Sequence, residues 1–316
     1  MTAVNGIVVV DKPAGMTSHD VVYVARKLFQ TKRVGHTGTL DPDATGVLVL
    51  CLGPATRLAE YLSAARKHYV AEVTFGVETD TQDASGQVLA ERDASHLTEA
   101  TVRSLLSRFR GRIMQVPPMM SALHHEGQRL YELARAGVTV ERAAREVEIA
   151  SLELTAWAPG ETPTAALEIT CSTGTYIRTL AADLGAAGGV GGMMLSLRRT
   201  WVGASEDRAF TLREAHTLDT LRARAQAGTL DEAVLPPAAA LADWPQARLT
   251  ESEAARIGQG RALEVSSIDA DRRLNWPPVG SELEDRMAAL LDESGGLIAV
   301  ARLDGGGLQP VKVFVA

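Results

Sequence analysis

The sequence predicts an α+β protein with a second, smaller C-terminal unit, and three features point there. At 316 residues the chain exceeds the usual span of one domain. Segments of strand periodicity and segments with a helical apolar stripe follow one another without the strict alternation of a doubly wound parallel sheet. Around Pro236–Pro245 the composition shifts to Pro and Ala with a lone Trp244, the mark of a boundary, which gives a first domain over 1–240 and a second over 246–316.

Gly6–Val10 reads as a buried strand closed by Asp11-Lys12-Pro13-Ala14-Gly15. Thr17 or Ser18 then caps a helix whose Val21, Val24, Ala25 and Leu28 fall at i, i+3, i+4 and i+7. A polar loop leads into the apolar strand Val47–Leu52, and Pro54 opens a short helix with Leu58, Tyr61 and Leu62 on one face. Tyr69, Ala71, Val73 and Phe75 alternate with Val70, Glu72 and Thr74, which is strand periodicity. Thr98 starts a helix with Val102, Leu105, Leu106 and Phe109 as its stripe and Gly111 at its C-terminal end. After the Pro-Pro break within Met114–Ser121 comes a short helix over Leu130–Arg135, ended by Gly137. Strands follow at Val147–Trp157 and Ala166–Cys171, then a helix through Ile177, Leu180, Ala181 and Leu184. The glycine-rich turn Gly188–Gly192 feeds Met193–Val202. The tail carries a helix over Thr250–Ile257 and strands near Leu297–Leu303 and Val311–Val315, with turns at Pro277-Pro278 and Gly305-Gly306-Gly307.

Hydrophobic residues make up 46%, enough for a proper core, whereas aromatics are only 4%, so a tyrosine in a polar setting carries weight. Cys51 and Cys171 sit in apolar runs and read as buried free thiols. The first residues show no basic segment followed by an apolar core, and no run approaches bilayer-spanning length, so a soluble cytoplasmic protein is expected. A net charge of −7 does not advertise a polyanionic partner. Between Thr101 and Arg145, however, eight arginines face three glutamates. Such a stretch is either a solvated helix surface or a local basic face where a polyanion docks. There is no internal repeat and no glycine-rich phosphate loop followed by Lys-Ser/Thr.

The most informative segment runs from Gly35 to Gly46, with His36, Asp41, Pro42 and Asp43 inside it. Its glycines permit positive φ and close backbone approach, Pro42 stiffens the chain beside Asp41, and the following strand supplies a rigid support. Asp41 is therefore the first candidate for chemistry. An Asp-Pro pair in such a loop is also what an ordinary turn uses, with the carboxylate on nearby amides. His36, Asp41 and Asp43 are possible metal ligands, but no second cluster at ligand spacing accompanies them, so no metal is expected.

Four segments in register resemble the TruB-type tRNA pseudouridine synthases: the Asp41 loop, Lys67-His68-Tyr69, Gly174-Thr175-Tyr176-Ile177-Arg178-Thr179-Leu180, and Leu195-Ser196-Leu197-Arg198-Arg199. The resemblance takes in Asp11–Gly15 and Pro117–Gly137 and so covers nearly all of 5–205, while the tail, from Leu249-Thr250 to Val311-Lys312-Val313-Phe314, is similar to a PUA domain. It implies a pseudouridine synthase fold, with a mixed, largely antiparallel sheet flanked by helices, an RNA-clasping insertion at about 115–145, and a small C-terminal β-barrel. It also implies isomerisation of uridine 55 in the tRNA T-loop, without a cofactor. Asp41 would be the essential carboxylate, and Arg178 would hold it ionised and oriented. Tyr69 would stack on the flipped uracil, Tyr176 and Leu197 would wall the pocket, and His36 would fill the space left in the T-loop. Lys67 would contact a phosphate or a nearby carboxylate.

The resemblance further implies the tRNA T-arm as the partner of a monomer, with neither membrane nor obligatory protein partner. This chain departs from the family in the insertion, where Met120-Ser121-Ala122-Leu123-His124 stands for the usual Tyr-Ser-Ala-x-Lys. An acidic stretch, Glu282 to Glu293, suits a solvent-facing insertion in the tail better than an RNA contact. A tRNA-folding chaperone that needs no Asp41, alone or alongside the enzyme activity, is the alternative from another class, and a guided synthase acting on another RNA is a third reading.

Overall fold

Unbroken apolar runs such as Ile7-Val8-Val9-Val10 and Val47-Leu48-Val49-Leu50 have no polar face to give to water, so they need a covering layer on each side. The computed structural model, which describes residues 4–121, 123–125, 127–274, 287–304 and 306–314, supplies both layers. These runs form β1 (Gly6–Lys12) and β3 (Thr45–Leu52), paired antiparallel from Gly6↔Leu52 to Lys12↔Gly46. Val8, Val10, Leu48 and Leu50 pack under helix α1 (Ser18–Leu28) through Val21, Val22 and Ala25. The alternate residues Ile7, Val9, Val47 and Val49 face the other way, into a cluster that includes Leu291, Leu297 and Val300 of the C-terminal part. Thr17 caps α1 through a capping box with Asp20, and Arg26 and Lys27 occupy its last turn.

Among the described residues β1 and β3 belong to a nine-stranded sheet. From β1 and β3 it continues through Gly192–Gly203, β4 (Arg66–Phe75), Thr164–Cys171 and Arg145–Ala158 to Gly111–Gln115, while β2 (Val34–His36) pairs with β3 and Ala209–Thr211 with Gly192–Gly203. One pairing is parallel, Gly192–Gly203 with β3, and the other pairings in the sheet are antiparallel, so the sheet is mixed and largely antiparallel. Tyr69, Ala71, Val73 and Phe75 point to one face, where helices Glu99–Leu106 and Ile177–Ala187 cover them with Val102, Leu106, Leu180 and Leu184. Cys51 and Cys171 are buried free thiols.

The parallel contact depends on one glycine. Gly46 has φ +101° and pairs with Arg199, and a Cβ there would lie 2.1 Å from the Arg199 carbonyl oxygen. Gly46→Ala meets both a disfavoured backbone conformation and a collision with another strand. It should cost about 3 kcal/mol or more, read as a lower urea midpoint with an unchanged m-value.

Among the described residues the C-terminal part is a six-stranded half-barrel, ordered Leu263–Glu264, Gly307–Val313, Leu297–Asp304, Met287–Leu291, Gln246–Arg248 and Arg273–Leu274, as a PUA-like domain would be. Helix Glu251–Gly258, capped by Thr250 in a capping box, packs on it. The Pro/Ala stretch forms a short turn, Pro237–Leu241, with Ala240 and Leu241 buried in the cluster that both parts share. The two parts also meet where Arg57 Nη1 donates to the Val313 carbonyl (2.7 Å), while Lys312 Nζ donates to the Arg57 carbonyl (2.9 Å) and pairs with Glu60.

Two sequence expectations are corrected here. Gly111 does not end a helix: the helix stops at Leu106, a short turn follows, and Gly111 opens an edge strand. Its φ of +80° lets the chain reverse directly into the sheet. The stretch Glu282–Glu293 is not a solvent-facing insertion throughout, because Met287–Leu291 is a strand whose Ala288, Ala289 and Leu290 are fully buried. Four apolar residues after Met287 outweigh the flanking acids. Residues 282–286 and the Pro277-Pro278 turn lie outside the described residues, as do Ala122, Gly305 and Val315.

Candidate active site

The Asp41 loop joins β2 to β3 and is pinned from several sides. Ser18 Oγ accepts from the Leu40 N–H (2.9 Å). Lys12, fully buried, donates to the Pro42 carbonyl (2.8 Å) and to those of Pro13 and Met16, and the Gly15 N–H also reaches Pro42. Arg199, 1% exposed, donates from Nη2 to Gly38 O (3.0 Å) and from Nε to Val47 O (2.7 Å). Each buried cation sits on backbone carbonyls and so ties loop to sheet. Burial lowers the Lys12 pKa to about 8, partly offset by Asp43 and Asp41.

Asp41 does not turn back onto neighbouring amides. Its carboxylate takes a fork from Arg178, with Nε to Oδ2 at 2.9 Å and Nη2 to Oδ1 at 3.1 Å. Arg178 lies in the first turn of helix Ile177–Ala187 and is only 6% exposed in its side chain, against 37% for Asp41. Its remaining donors reach Thr81 O (3.1 Å) and Met120 O (2.9 Å), and Nη1 lies 3.6 Å from Asp83 Oδ2. Asp83 is itself bound by Thr81 Oγ1, Ser85 N and Ser85 Oγ. Burial pushes the Asp41 pKa up, Arg178 opposes this, and the Asp83 charge adds to the rise. The result is a carboxylate that is desolvated yet aimed, with one side clamped and the other open to a cavity.

That cavity, of about 700 Å³, is lined by all six residues singled out from the sequence: His36, Asp41, Tyr69, Tyr176, Arg178 and Leu197. Tyr69 projects from β4 opposite Arg199 in the paired strand, and Leu197 faces the same space from its register position across from Ala71. Burial raises the Tyr69 and Tyr176 pKa values, so both phenols are neutral near pH 7. Tyr176 precedes the Arg178 helix. Gln115, itself buried, fixes it by accepting from its N–H (2.9 Å) and donating to its carbonyl (3.1 Å). His36 accepts the Gly38 N–H at Nδ1 (3.3 Å) and meets the His19 ring edge-on at 5.6 Å. Burial and the nearby His19 and Arg199 lower its pKa to about 4, so it is a neutral ring.

Some expectations move. Lys67 donates to Ser63 O and Ala65 O, both at 2.6 Å, and among the described residues no carboxylate pairs with it. Burial takes its pKa down to about 8. Asp43 is an exposed loop residue. Among the described residues no three His, Cys, Asp or Glu side chains are grouped so as to hold a metal ion, and no helix is long and apolar enough to cross a membrane. Part of the basic stretch is already paired, with Arg103 on Glu99, Arg110 on Glu153 and Arg112 on Glu146. These are exposed pairs, each worth little, and they remain free to exchange partners. The roles of Lys12, Asp83, Gln115 and Arg199 around the loop had no signal in spacing or periodicity.

Comparison with known proteins finds similar chains over most of the length. Residues 26–177 match the N-terminal domain of the TruB family pseudouridylate synthases, and residues 178–242 match the tRNA pseudouridylate synthase B C-terminal domain. The chain is 50% identical over 262 residues to tRNA pseudouridine synthase B of Symbiobacterium thermophilum, covering 83% of this chain and 84% of that one. It is 44% identical to the protein of the same name from Thermobifida fusca, with 98% of each chain covered. Among solved structures, a Cbf5-Nop10-Gar1 complex contains a chain that superposes with a TM-score of 0.71 at 26% identity, over 98% of this chain and 85% of that one. A chain of an H/ACA ribonucleoprotein bound to a substrate RNA containing 2'-deoxyuridine shares the fold at the same TM-score and coverage, with 24% identity.

Proposed function

The chain belongs to the TruB family of pseudouridylate synthases, and from this premise we propose that it isomerises uridine 55 in the T-loop of tRNA to pseudouridine, with Asp41 as the acting carboxylate. The observation that carries the reading is the Asp41–Arg178 fork opening into a cavity walled by Tyr69, Tyr176 and Leu197. The volume lies in the range that encloses a small ligand such as a nucleobase with its sugar.

The reaction breaks the N1–C1′ bond, forms C5–C1′ and moves one proton from C5 to N1, so nothing is oxidised and no second substrate is consumed. Detaching uracil needs a base for a sugar proton or a nucleophile toward the sugar or the ring, and either role requires ionised Asp41. Arg178 fixes the orientation of its oxygens, so little reorganisation is left for the reacting complex. Tyr69 and Tyr176 offer neutral faces that hold a free uracil while it turns. The walls also keep water from C1′, where it would convert isomerisation into base loss. A neutral His36 at the mouth fills the gap left by the extruded base without bringing a desolvated charge, which offsets part of the unstacking cost of a few kcal/mol.

The test is tritium release from a T-arm stem-loop labelled at uracil C5, since that hydrogen must leave when C5 bonds the sugar. Stoichiometric release is expected, and labelled RNA that keeps its tritium through repeated incubation would end the reading. The profile against pH follows from the same carboxylate. Activity needs the anion and burial raises its pKa, so kcat/KM should fall on acidification at a pH above the ordinary aspartate value of about 3.9. Removing the positive charge of Arg178 should move that acid limb further up.

A further inference from the structure

Beyond the cavity, α1 carries an outward stripe with no part in the chemistry above. His19 lines the cavity and touches His36, and Tyr23 and Lys27 follow it at i+4 and i+8. The stripe therefore leads away from the mouth for about 12 Å along one face of the helix. Tyr23 is 58% exposed, in a chain that holds only five tyrosines. It is not spare core material, because the inward face of α1 is already filled by Val21, Val22 and Ala25. Lys27 Nζ stands 4.3 Å from the centroid of its ring. From Ser18 to Arg33 the chain has four Lys and Arg residues (Arg26, Lys27, Lys32, Arg33), all exposed, and one acid. That acid, Asp20, is turned back onto Thr17, accepting from its N–H (2.8 Å) and Oγ1 (2.7 Å), so its charge is spent on the helix cap.

We infer that this stripe is a second contact for the substrate RNA: the strand leaving the cavity runs along α1, with a base or ribose face against Tyr23 and phosphates against Lys27 and its basic neighbours. Three features select RNA as the occupant. The stripe is continuous with the cavity wall, its charge is opposite to that of a phosphate backbone, and it presents an exposed aromatic face beside a cation. Exposed aromatics interleaved with basic side chains are how single-stranded nucleic acid is held without base-specific readout. An apolar protein partner would need a wider apolar patch than one ring, and α1 offers none.

The inference rests on the proposed reaction, so its test reads binding and chemistry separately on one labelled T-arm stem-loop. Lys27→Ala should weaken the Kd several-fold and lower the slope of log K against log salt by about one phosphate equivalent. Tyr23→Ala should weaken it by about tenfold with the salt slope unchanged, and Tyr23→Phe should restore it. Both side chains are exposed, so circular dichroism and the urea midpoint should match those of the unaltered chain. Tritium release together with unaltered Kd and salt slope in both alanine variants would overturn the track alone. No release by the unaltered chain would overturn the reaction on which the track rests.

Discussion

Asp41→Asn should abolish tritium release from C5-labelled T-arm RNA, with turnover down by at least about 10⁴-fold, while RNA affinity stays unchanged. The amide matches the carboxylate in shape and still accepts one hydrogen bond from Arg178, so the loop stays pinned by Ser18, Lys12 and Arg199. What is lost is the negative charge and the electron pair that either mechanistic route requires. Retained affinity separates this outcome from unfolding. It also separates enzyme from chaperone, because a protein whose work is to open and refold the tRNA elbow would not register the change. Turnover within a few-fold of the unaltered chain would remove Asp41 from the chemistry.

The second large effect concerns the clamp. Arg178→Ala should lower kcat by at least about 100-fold, because four hydrogen bonds disappear together, two on Asp41 and one each on the carbonyls of Thr81 and Met120, along with the ion pair to Asp83. It should also raise the acid limb of the profile, since Asp41 would keep the desolvation and the Asp83 repulsion without the opposing guanidinium. Arg178→Lys keeps the charge but not the fork. It should sit between the two, with an acid limb nearer that of the unaltered chain and a kcat still reduced. Equal loss in Lys and Ala, with no movement of the acid limb, would mean that Arg178 supports the fold without tuning Asp41.

The parts of the molecule that could be read before folding share a physical property: their residues announce themselves through period or through local backbone demand. The alternation of Tyr69 to Phe75, the stripe of α1 and the Gly-punctuated Asp41 loop are local patterns, and each became the element expected of it. The convergence of His36, Asp41, Tyr69, Tyr176, Arg178 and Leu197 on one cavity came from resemblance, since no spacing rule brings Asp41 to a guanidinium 137 positions away.

What stayed hidden is the support behind that cavity. Lys12 and Arg199 look like surface cations in sequence, yet both are buried because backbone carbonyls of the loop and sheet satisfy them. Gln115 clasps the backbone of Tyr176 from the end of strand Gly111–Gln115, just before the Pro-Pro break, where no alternation marks a strand. Lys67 likewise donates to backbone carbonyls, those of Ser63 and Ala65. Long-range side-chain-to-backbone bonds leave no periodic trace, so only the folded chain shows them. Helix Leu218–Ala227 escaped for a related reason: it buries just Leu218 and Leu221, too narrow a stripe to stand out.

Locating pseudouridine at single-nucleotide resolution, in unmodified tRNA incubated with the purified chain alone, reads the central claim most directly. The geometry and the family together predict one new pseudouridine, at position 55, formed without guide RNA or added protein. Product at another position, or none until a guide or a second protein is supplied, would contradict it.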